Sequence, residues 1–253
     1  MRITIAFAAL ALVACNAKPT TTSVDAGRAG DGDSDIAQVK ATGASARTLT
    51  VDIGDLDAVQ KRKALRVLVF GGGEVLLPRA GASTVTDREL VAEFAQSLGV
   101  ALVPIAVPKF ADLIPMLKDG KGDVIVARLA QTDERAAQIA FSRPTAVVDE
   151  MLVAKKGDAV KSAAGLKQPV TVRKSSSYRE TLDALKVAAA DAPEDEDTEA
   201  LVHDVAAGKI PYTVCDSDLF EHIAAYTPDV VAAFPLKQGR QIGFGVRKEN
   251  AKL

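Results

Sequence analysis

The sequence predicts an α/β fold in which mainly parallel sheets are covered by helices. Strand-like and helix-like segments alternate from about residue 59 to near the end of the 253-residue chain, and this alternation is typical of parallel sheets with flanking helices. The length allows one large core or two modest ones. Hydrophobic residues make up 48% and charged residues 25% of the chain, as in ordinary globular domains.

The elements of the first half follow from short apolar runs and helical spacing. Residues 64–70 form a buried strand that ends at three glycines, and residues 100–107 and 123–127 form two more. Residues 87–98 have apolar side chains three and four apart, which predicts a helix with Gly99 as its C-cap. Residues 110–118 are a helix kinked at Pro115. Residues 133–139 are a short helix with Thr132 as N-cap.

The second half continues the alternation. Strands are predicted over residues 151–154, 169–172, 212–215 and 241–246. Helices are predicted over residues 175–190, entered through three serines, over 199–207, ended by Gly208, and over 219–225. We expect the acidic run at 191–199 to be a solvated loop rather than a metal site.

The composition disfavours several classes of function. A net charge of −2 gives no electrostatic footprint for nucleic acid. Aromatic residues make up only 4% and Trp is absent, so base-stacking platforms are not expected. We find no catalytic, metal-binding or cofactor motif, and we expect no metal, no cofactor and no nucleic-acid partner.

The first 15 residues have the pattern of a secretory signal peptide. Arg2 precedes an apolar run over residues 3–13, which is too short to cross a bilayer because a spanning helix takes about 20 residues. Leu12-Val-Ala-Cys15 resembles a bacterial lipobox. We therefore predict a lipoprotein lipidated at Cys15 and held at a membrane in the periplasm. The alternative is an ordinary signal peptide with a chance cysteine.

Residues 16–58 are predicted to form a flexible linker, and the folded module is predicted to cover residues 59–253. Thr, Ser, Ala, Gly and Asp dominate the linker up to about Thr50. Such a segment buries too little apolar surface to offset its ordering entropy. If Cys15 is lipidated, Cys215 should be a buried free thiol.

An ordered set of motifs resembles a known family. Phe110-Ala-Asp-Leu-Ile-Pro-Met-Leu is followed by Gly-Lys-Gly-Asp at 120–123, Thr-Asp-Glu-Arg at 132–135 and Phe-Ser-Arg-Pro at 141–144. In this order and spacing the chain resembles the bacterial extracellular solute-binding proteins of family 3. The resemblance implies a two-lobed, type II periplasmic-binding-protein-like fold. Each lobe is then a mainly parallel sheet with helices, and two crossing segments join the lobes.

The same resemblance implies the domain boundaries. Lobe 1 is expected over about residues 59–145, lobe 2 over about 149–237, and the return crossing over about 237–246. The family's closing helices of lobe 1 have no counterpart after residue 246. We therefore expect lobe 1 to expose an apolar patch.

The resemblance also implies a ligand site and no catalytic residues. Arg135 matches the family arginine that binds the carboxylate of the ligand. Its planar guanidinium can donate two parallel hydrogen bonds to a carboxylate. Asp216 matches the family residue that binds the ammonium group of the ligand. Phe110 matches the aromatic residue that packs against the ligand. Ser176 and Ser177 lie at a helix N-terminus, where main-chain N–H groups can bind an oxygen. A simpler interpretation stays open for each position. Arg135 would be a surface arginine, Asp216 a turn-forming aspartate, Phe110 a core residue, and the serines a helix N-cap without a ligand.

Two stretches of the sequence depart from the family pattern. Three glycines and Glu74 stand where an aromatic residue is usual, and Arg128 and Ala130 stand where small and hydroxyl residues are usual. The added cation of Arg128 and the carboxylate of Glu74 predict a more polar or larger ligand, such as a peptide fragment of the cell wall.

Residues 170–178 and 199–217 resemble, more narrowly, the binding domain at the front of membrane-bound lytic murein transglycosylases. Nothing in the chain resembles their separate catalytic domain, so we expect a binding protein and not an enzyme. Its ligand would be an amino acid, a short peptide or a cell-wall fragment, and its partner an ABC permease or a cell-wall enzyme. The alternatives are the front part of a transglycosylase and a degenerate module that now contacts protein.

Overall fold

The computed structural model of the protein describes residues 51–71, 87–158 and 160–253. The predicted signal peptide with Cys15, most of the predicted linker, and Glu74 lie outside the described residues. No helix in the described ranges is long and apolar enough to cross a membrane.

The described residues form helices and strands in alternation. The helices are α1 (Leu56–Arg62), α2 (Asp87–Ser97), α3 (Leu113–Lys118), α4 (Asp133–Gln138), α5 (Ser177–Ala184), α6 (Thr198–Ala206) and α7 (Ser217–Ala224). The strands are β1 (Ala64–Phe70), β2 (Ala101–Val107), β3 (Val124–Ala130), β4 (Ala140–Phe141), β5 (Ala146–Lys155), β6 (Val170–Arg173), β7 (Ala189–Ala192), β8 (Tyr212–Asp216) and β9 (Val230–Val246).

One mixed sheet runs through both lobes in the order β2-β1-β3-β9-β5-β8, and β4 also pairs with β9. Strand β1 is parallel to β2 and β3. Strand β9 is antiparallel to β3, β4 and β5, and β5 is antiparallel to β8. Strands β6 and β7 form a separate parallel pair. The predicted two-lobed α/β fold is confirmed, with antiparallel pairs added by the two strands that join the lobes.

Strands β5 and β9 connect the two lobes. Strand β9 pairs with β3 between Ile242 and Val246 and with β5 between Val230 and Ile242. Lobe 1 consists of β1 to β4, α1 to α4 and the last part of β9. Lobe 2 consists of β6 to β8, α5 to α7 and the remaining parts of β5 and β9. The two connections are thus paired with each other as strands.

Lobe 1 has an apolar core on each face of its sheet. On one face Val59 of α1 and Val91 of α2 pack against β1. On the other face Leu113 and Leu117 of α3 pack against Leu68. Both faces of β1 are therefore covered, where the sequence led us to expect an apolar patch on this lobe. Part of the cover comes from α1, which the sequence analysis did not recognise.

The folded part begins earlier than the predicted boundary at residue 59. Asp55 caps α1 by accepting a hydrogen bond from the main-chain N–H of Leu56. The N–H of Asp52 donates to the carbonyl of Gly120 at 2.9 Å. These contacts attach residues 52–58, which the sequence placed in the linker, to lobe 1. The sequence did not reveal α1 because this short helix buries a single apolar residue, Val59, which gives no helical pattern.

Three predicted elements differ from the structure. The helix predicted over residues 175–190 is wrong beyond Ala184, because Lys186 takes a left-handed conformation with φ 56° and β7 follows. The predicted loop at 191–199 contains the end of β7 and the start of α6. The last strand begins at Val230, 11 residues before its predicted start at Gln241.

Candidate ligand-binding site

The candidate site lies where the lobes face each other, at the ends of β3, β6 and β8. The carboxyl ends of strands are where ligands bind in open α/β sheets. No group of three or more His, Cys, Asp or Glu side chains in the described ranges is placed to hold a metal ion. The chemistry available at this edge is therefore that of arginine, carboxylate, hydroxyl and aromatic side chains.

Arg135 is a buried cation at the start of α4. Thr132 caps this helix by accepting a hydrogen bond from the N–H of Arg135. The Arg135 guanidinium donates to the carbonyl of Ala130 and, across the cleft, to that of Ser175, both at 2.9 Å. The residue is only 7% exposed, unlike a surface arginine.

No carboxylate lies within ion-pair distance of Arg135 among the residues that the structure describes. Burial lowers the pKa of Arg135 to about 10, because an unpaired charge is costly away from water. Arg135 nevertheless keeps its proton at neutral pH. A buried guanidinium that is bonded only to carbonyl groups favours the approach of an anion.

Phe110 lies between two arginines at the cleft. Its ring centre is 5.5 Å from the guanidinium carbon of Arg135 and 5.1 Å from that of Arg173. Its ring also meets Phe70 edge-on, with centroids 5.4 Å apart. Phe110 is therefore both a core residue of lobe 1 and part of the cleft wall, since cations within about 6 Å of a ring are attracted to it.

Arg173 is the last residue of β6 in lobe 2, and its guanidinium contacts the aromatic pair of lobe 1. Its guanidinium donates to the carbonyl of Glu196 at 2.6 Å and to the hydroxyl of Thr198 at 3.4 Å. In the described part of the chain it forms no ion pair, and burial lowers its pKa. The cleft therefore contains a second buried arginine without a carboxylate.

The serines around the start of α5 lie at the same edge, and the hydroxyls of Ser175 and Ser176 are bonded within the protein. Ser176 donates to the carbonyl of Arg173 at 2.7 Å and makes no side-chain cap of α5. Ser177, the first residue of α5, is buried. Ser175 bonds to the carboxylate of Glu194 through its N–H and its hydroxyl. The carbonyl of Glu194 accepts a hydrogen bond from the N–H of Phe110 at 3.1 Å, which is a contact between the lobes.

Arg128 and Asp216 form an ion pair across the cleft. The Nη2 atom of Arg128 in lobe 1 lies 3.2 Å from Oδ2 of Asp216 in lobe 2. The same nitrogen lies 2.7 and 2.9 Å from the two carboxylate oxygens of Asp218. The hydroxyl of Tyr178 donates to Oδ1 of Asp216 at 3.0 Å. Asp216 precedes α7 but its side chain does not cap that helix.

The pKa shifts in this group have opposing causes. Burial raises the pKa of Asp216, and the positive charge of Arg128 opposes part of that rise. Burial alone would lower the pKa of Arg128, but the carboxylates of Asp218 and Asp216 outweigh it and raise the pKa. Arg128 therefore stays charged at every physiological pH.

The structure groups the predicted site residues in two places. Arg135 contacts Phe110 and the serine segment, whereas Asp216 contacts Arg128. No hydrogen bond or ion pair in the described ranges joins Arg135 to Asp216.

Sequence reasoning missed Arg173, Tyr178 and Glu194. Arg173 ends a strand and Glu194 closely follows one, so both positions fit the carboxyl edge of a parallel sheet. For Glu194 that signal was hidden because residues 189–190, at the start of β7, were assigned to a helix. Arg173 directly follows the strand predicted over residues 169–172, so its signal was present in the sequence. Tyr178 was assigned to that helix without a role.

Comparisons with known proteins agree with this geometry. Residues 86–253 match the family model described as bacterial extracellular solute-binding proteins, family 3. A protein from Shewanella woodyi named membrane-bound lytic murein transglycosylase F is 30% identical over 199 residues, which are 77% of this chain and 41% of that protein. Its namesake from Desulfosudis oleivorans is 32% identical over 173 residues, 66% of this chain and 38% of that protein. The chain thus spans about two fifths of the length of these curated relatives.

Two solved structures show the same fold. The holo form of ArgBP from T. maritima superposes with a TM-score of 0.66 and 26% identity, covering 76% of this chain and 86% of that one. An ancestral arginine-binding protein bound to glutamine gives a TM-score of 0.64 and 28% identity, covering 76% and 87%. The family match supports a binding module, in agreement with the expectation that the chain is not an enzyme.

Proposed function

Because the chain belongs to the bacterial extracellular solute-binding proteins of family 3, we propose that it captures a small carboxylate-bearing solute between its two lobes. The solute is of the amino-acid kind, as the names of the solved neighbours suggest, or a short peptide, as the sequence led us to expect. Arg135 is the residue that binds its carboxylate, and Phe110 packs against its apolar part.

The observation that carries this proposal is the buried charge of Arg135, which has no carboxylate partner among the described residues. Its guanidinium has carbonyl partners on both lobes, so the cation is held where closure of the lobes would surround a ligand. A carboxylate there would gain charge-assisted hydrogen bonds. Closure would strengthen them by excluding water, because charges interact more strongly at low dielectric.

Replacement of Arg135 by methionine tests this proposal. Truncation of one partner of a buried charge pair costs about 2–5 kcal/mol, so R135M should weaken carboxylate binding by about 30-fold or more. Titration calorimetry against amino acids, short peptides and their derivatives measures the effect. The control is R143M, which removes an exposed arginine between β4 and β5 and should leave affinity unchanged. Equal affinity of R135M and the parent protein would refute the assignment.

A second candidate function is favoured by the curated relatives. Since these are lytic transglycosylases, the module is proposed, as the alternative, to be the non-catalytic sensor of a cell-wall enzyme rather than the receptor of an ABC permease. Neighbouring genes distinguish the two roles. Permease and ATPase genes beside this reading frame support transport, and a lysozyme-like reading frame supports the sensor.

We also propose that the protein is exported and anchored at a membrane through a lipid on Cys15. The support is the sequence pattern of residues 1–15 together with a family described as extracellular. The anchor would keep the binding module in the periplasm, where it meets its solute.

A further inference from the structure

We propose that Arg128 serves as an internal counter-ion for Asp216, so that the cleft selects carboxylates whose α-nitrogen is acylated or absent. This inference rests on the proposed function, because it assigns the ligand class of the same site. It adds that a free α-ammonium group is disfavoured in the cleft.

The first support is that both oxygens of Asp216 already have donors. Tyr178 donates to Oδ1 and Arg128 to Oδ2, and the Asp216 side chain is only 6% exposed. A ligand ammonium would have to displace Arg128 or lie beside it. Like charges placed together at an interface cost several kcal/mol.

The second support is that the backbone is built to direct Arg128 across the cleft. Ile125 pairs with Gly245 and Leu129 with Gly243, so three residues of β3 lie opposite one residue of β9. Within this bulge Arg128 has a φ of 48°, a left-handed conformation that is costly for any residue with a Cβ. Bulges and such strained residues concentrate at functional sites, where they redirect a side chain.

The third support is the balance of charges in the cleft. Arg128 is compensated by Asp216 and Asp218. Arg135 and Arg173 have no carboxylate partner within the described ranges. The carboxylates of Asp216 and Asp218 are therefore paired with Arg128, and that of Glu194 is bonded to Ser175. The two guanidiniums have no such partner in these ranges. This arrangement suits a net anion better than a zwitterion.

The ligand class follows from this balance. A carboxylate without a nearby ammonium satisfies Arg135 and leaves the Arg128–Asp216 pair intact. Two chemistries meet that description, namely a plain carboxylic acid and an N-acylated amino acid or peptide. They differ in size and in the added amide, so separate probes distinguish them.

The experiment compares three forms of each ligand by titration calorimetry. The probes are the twenty L-amino acids, their des-amino acids (glutarate for glutamate, 4-methylpentanoate for leucine) and their N-acetyl derivatives. The parent protein should bind a des-amino or an N-acetyl probe at least about tenfold more tightly than the free amino acid. The variant R128M removes the guanidinium that pairs with Asp216. It should bind the free amino acid about tenfold or more tightly than the parent protein does.

Two further variants keep the result interpretable. R128M/D216N removes both charges, so it should fold without a buried unpaired carboxylate and should show no gain for free amino acids. R179M removes an arginine that also pairs with two aspartates, Asp183 and Asp191, but lies wholly within lobe 2. It should leave the preference of the parent protein unchanged.

The outcomes separate this inference from the proposed function. A parent protein that prefers free amino acids, or an R128M variant without any gain, overturns the role of Arg128. If R135M still abolishes binding in that case, the proposed function stands. Failure of every probe, and of the short peptides used to test the proposed function, to bind the parent protein overturns both.

Discussion

Asp123, fully buried in lobe 1, accepts hydrogen bonds from two arginines. Arg66 donates through its main-chain N–H at 2.8 Å and through its guanidinium at 2.7 and 3.2 Å. Arg62 donates at 2.7 Å, and Arg247 lies 3.7 Å away. These contacts bring α1, β1 and the residues after β9 to one carboxylate.

We expect D123N to destabilise the protein by about 3–5 kcal/mol, because it removes the buried negative charge on which Arg62, Arg66 and Arg247 converge. Urea unfolding measures the change. D119N is the matched control, since Asp119 lies in the same loop, is exposed and, among the described residues, forms an ion pair with Lys121 alone. Its effect should stay within about 0.5 kcal/mol, and a similar loss for both variants would argue against the network.

The acidic segment before α6 shows, at the scale of an element, how a local signal can be misread. The sequence analysis interpreted residues 191–199 as a solvated loop, yet Asp197 accepts a hydrogen bond from the N–H of Ala200 at 2.7 Å and is the N-cap of α6. Its charge and position both suit the positive end of a helix.

Replacement of Asp197 by alanine should therefore cost about 1 kcal/mol of unfolding free energy, since the cap bond is lost. D195A is the control, because Asp195 is exposed and makes no side-chain hydrogen bond within the described ranges. Chemical denaturation of both variants measures the difference. Equal midpoints would show that the cap contributes nothing.

Elements with local signals were predictable, and elements fixed by distant partners were not. Thr132 caps α4 as predicted, and Gly99 takes the left-handed conformation of a C-cap with φ 64°. Strand β9 was missed between residues 230 and 240, where Pro235 interrupts the apolar run of residues 230–236 and proline disfavours a central strand. The ion pair of Arg128 and Asp216 joins residues 88 apart in sequence, so only the fold could reveal it.

At the scale of the whole molecule, contacts between the lobes concentrate at the candidate site. Arg128 pairs with Asp216, Arg135 donates to Ser175, and Phe110 donates to Glu194. The two strands that join the lobes, β5 and β9, are linked by a buried ion pair of their own. Arg240 donates to Glu150 at 2.9 Å, and Thr181 of α5 donates to the same carboxylate. The contacts between the lobes and the geometry of the site therefore depend on the same residues.

The proposed attachment of the whole molecule to a membrane rests on Cys15, one of two cysteines in the chain. Each buried methylene contributes about 0.8 kcal/mol, and two or more acyl chains anchor a protein stably. Expressed in a Gram-negative host, the full-length protein should partition into a detergent phase, and C15S should lose that behaviour. C215A is the matched control, because Cys215 is a buried free thiol and its removal leaves lipidation intact. If C15S and C215A partition alike, the lipoprotein assignment is wrong.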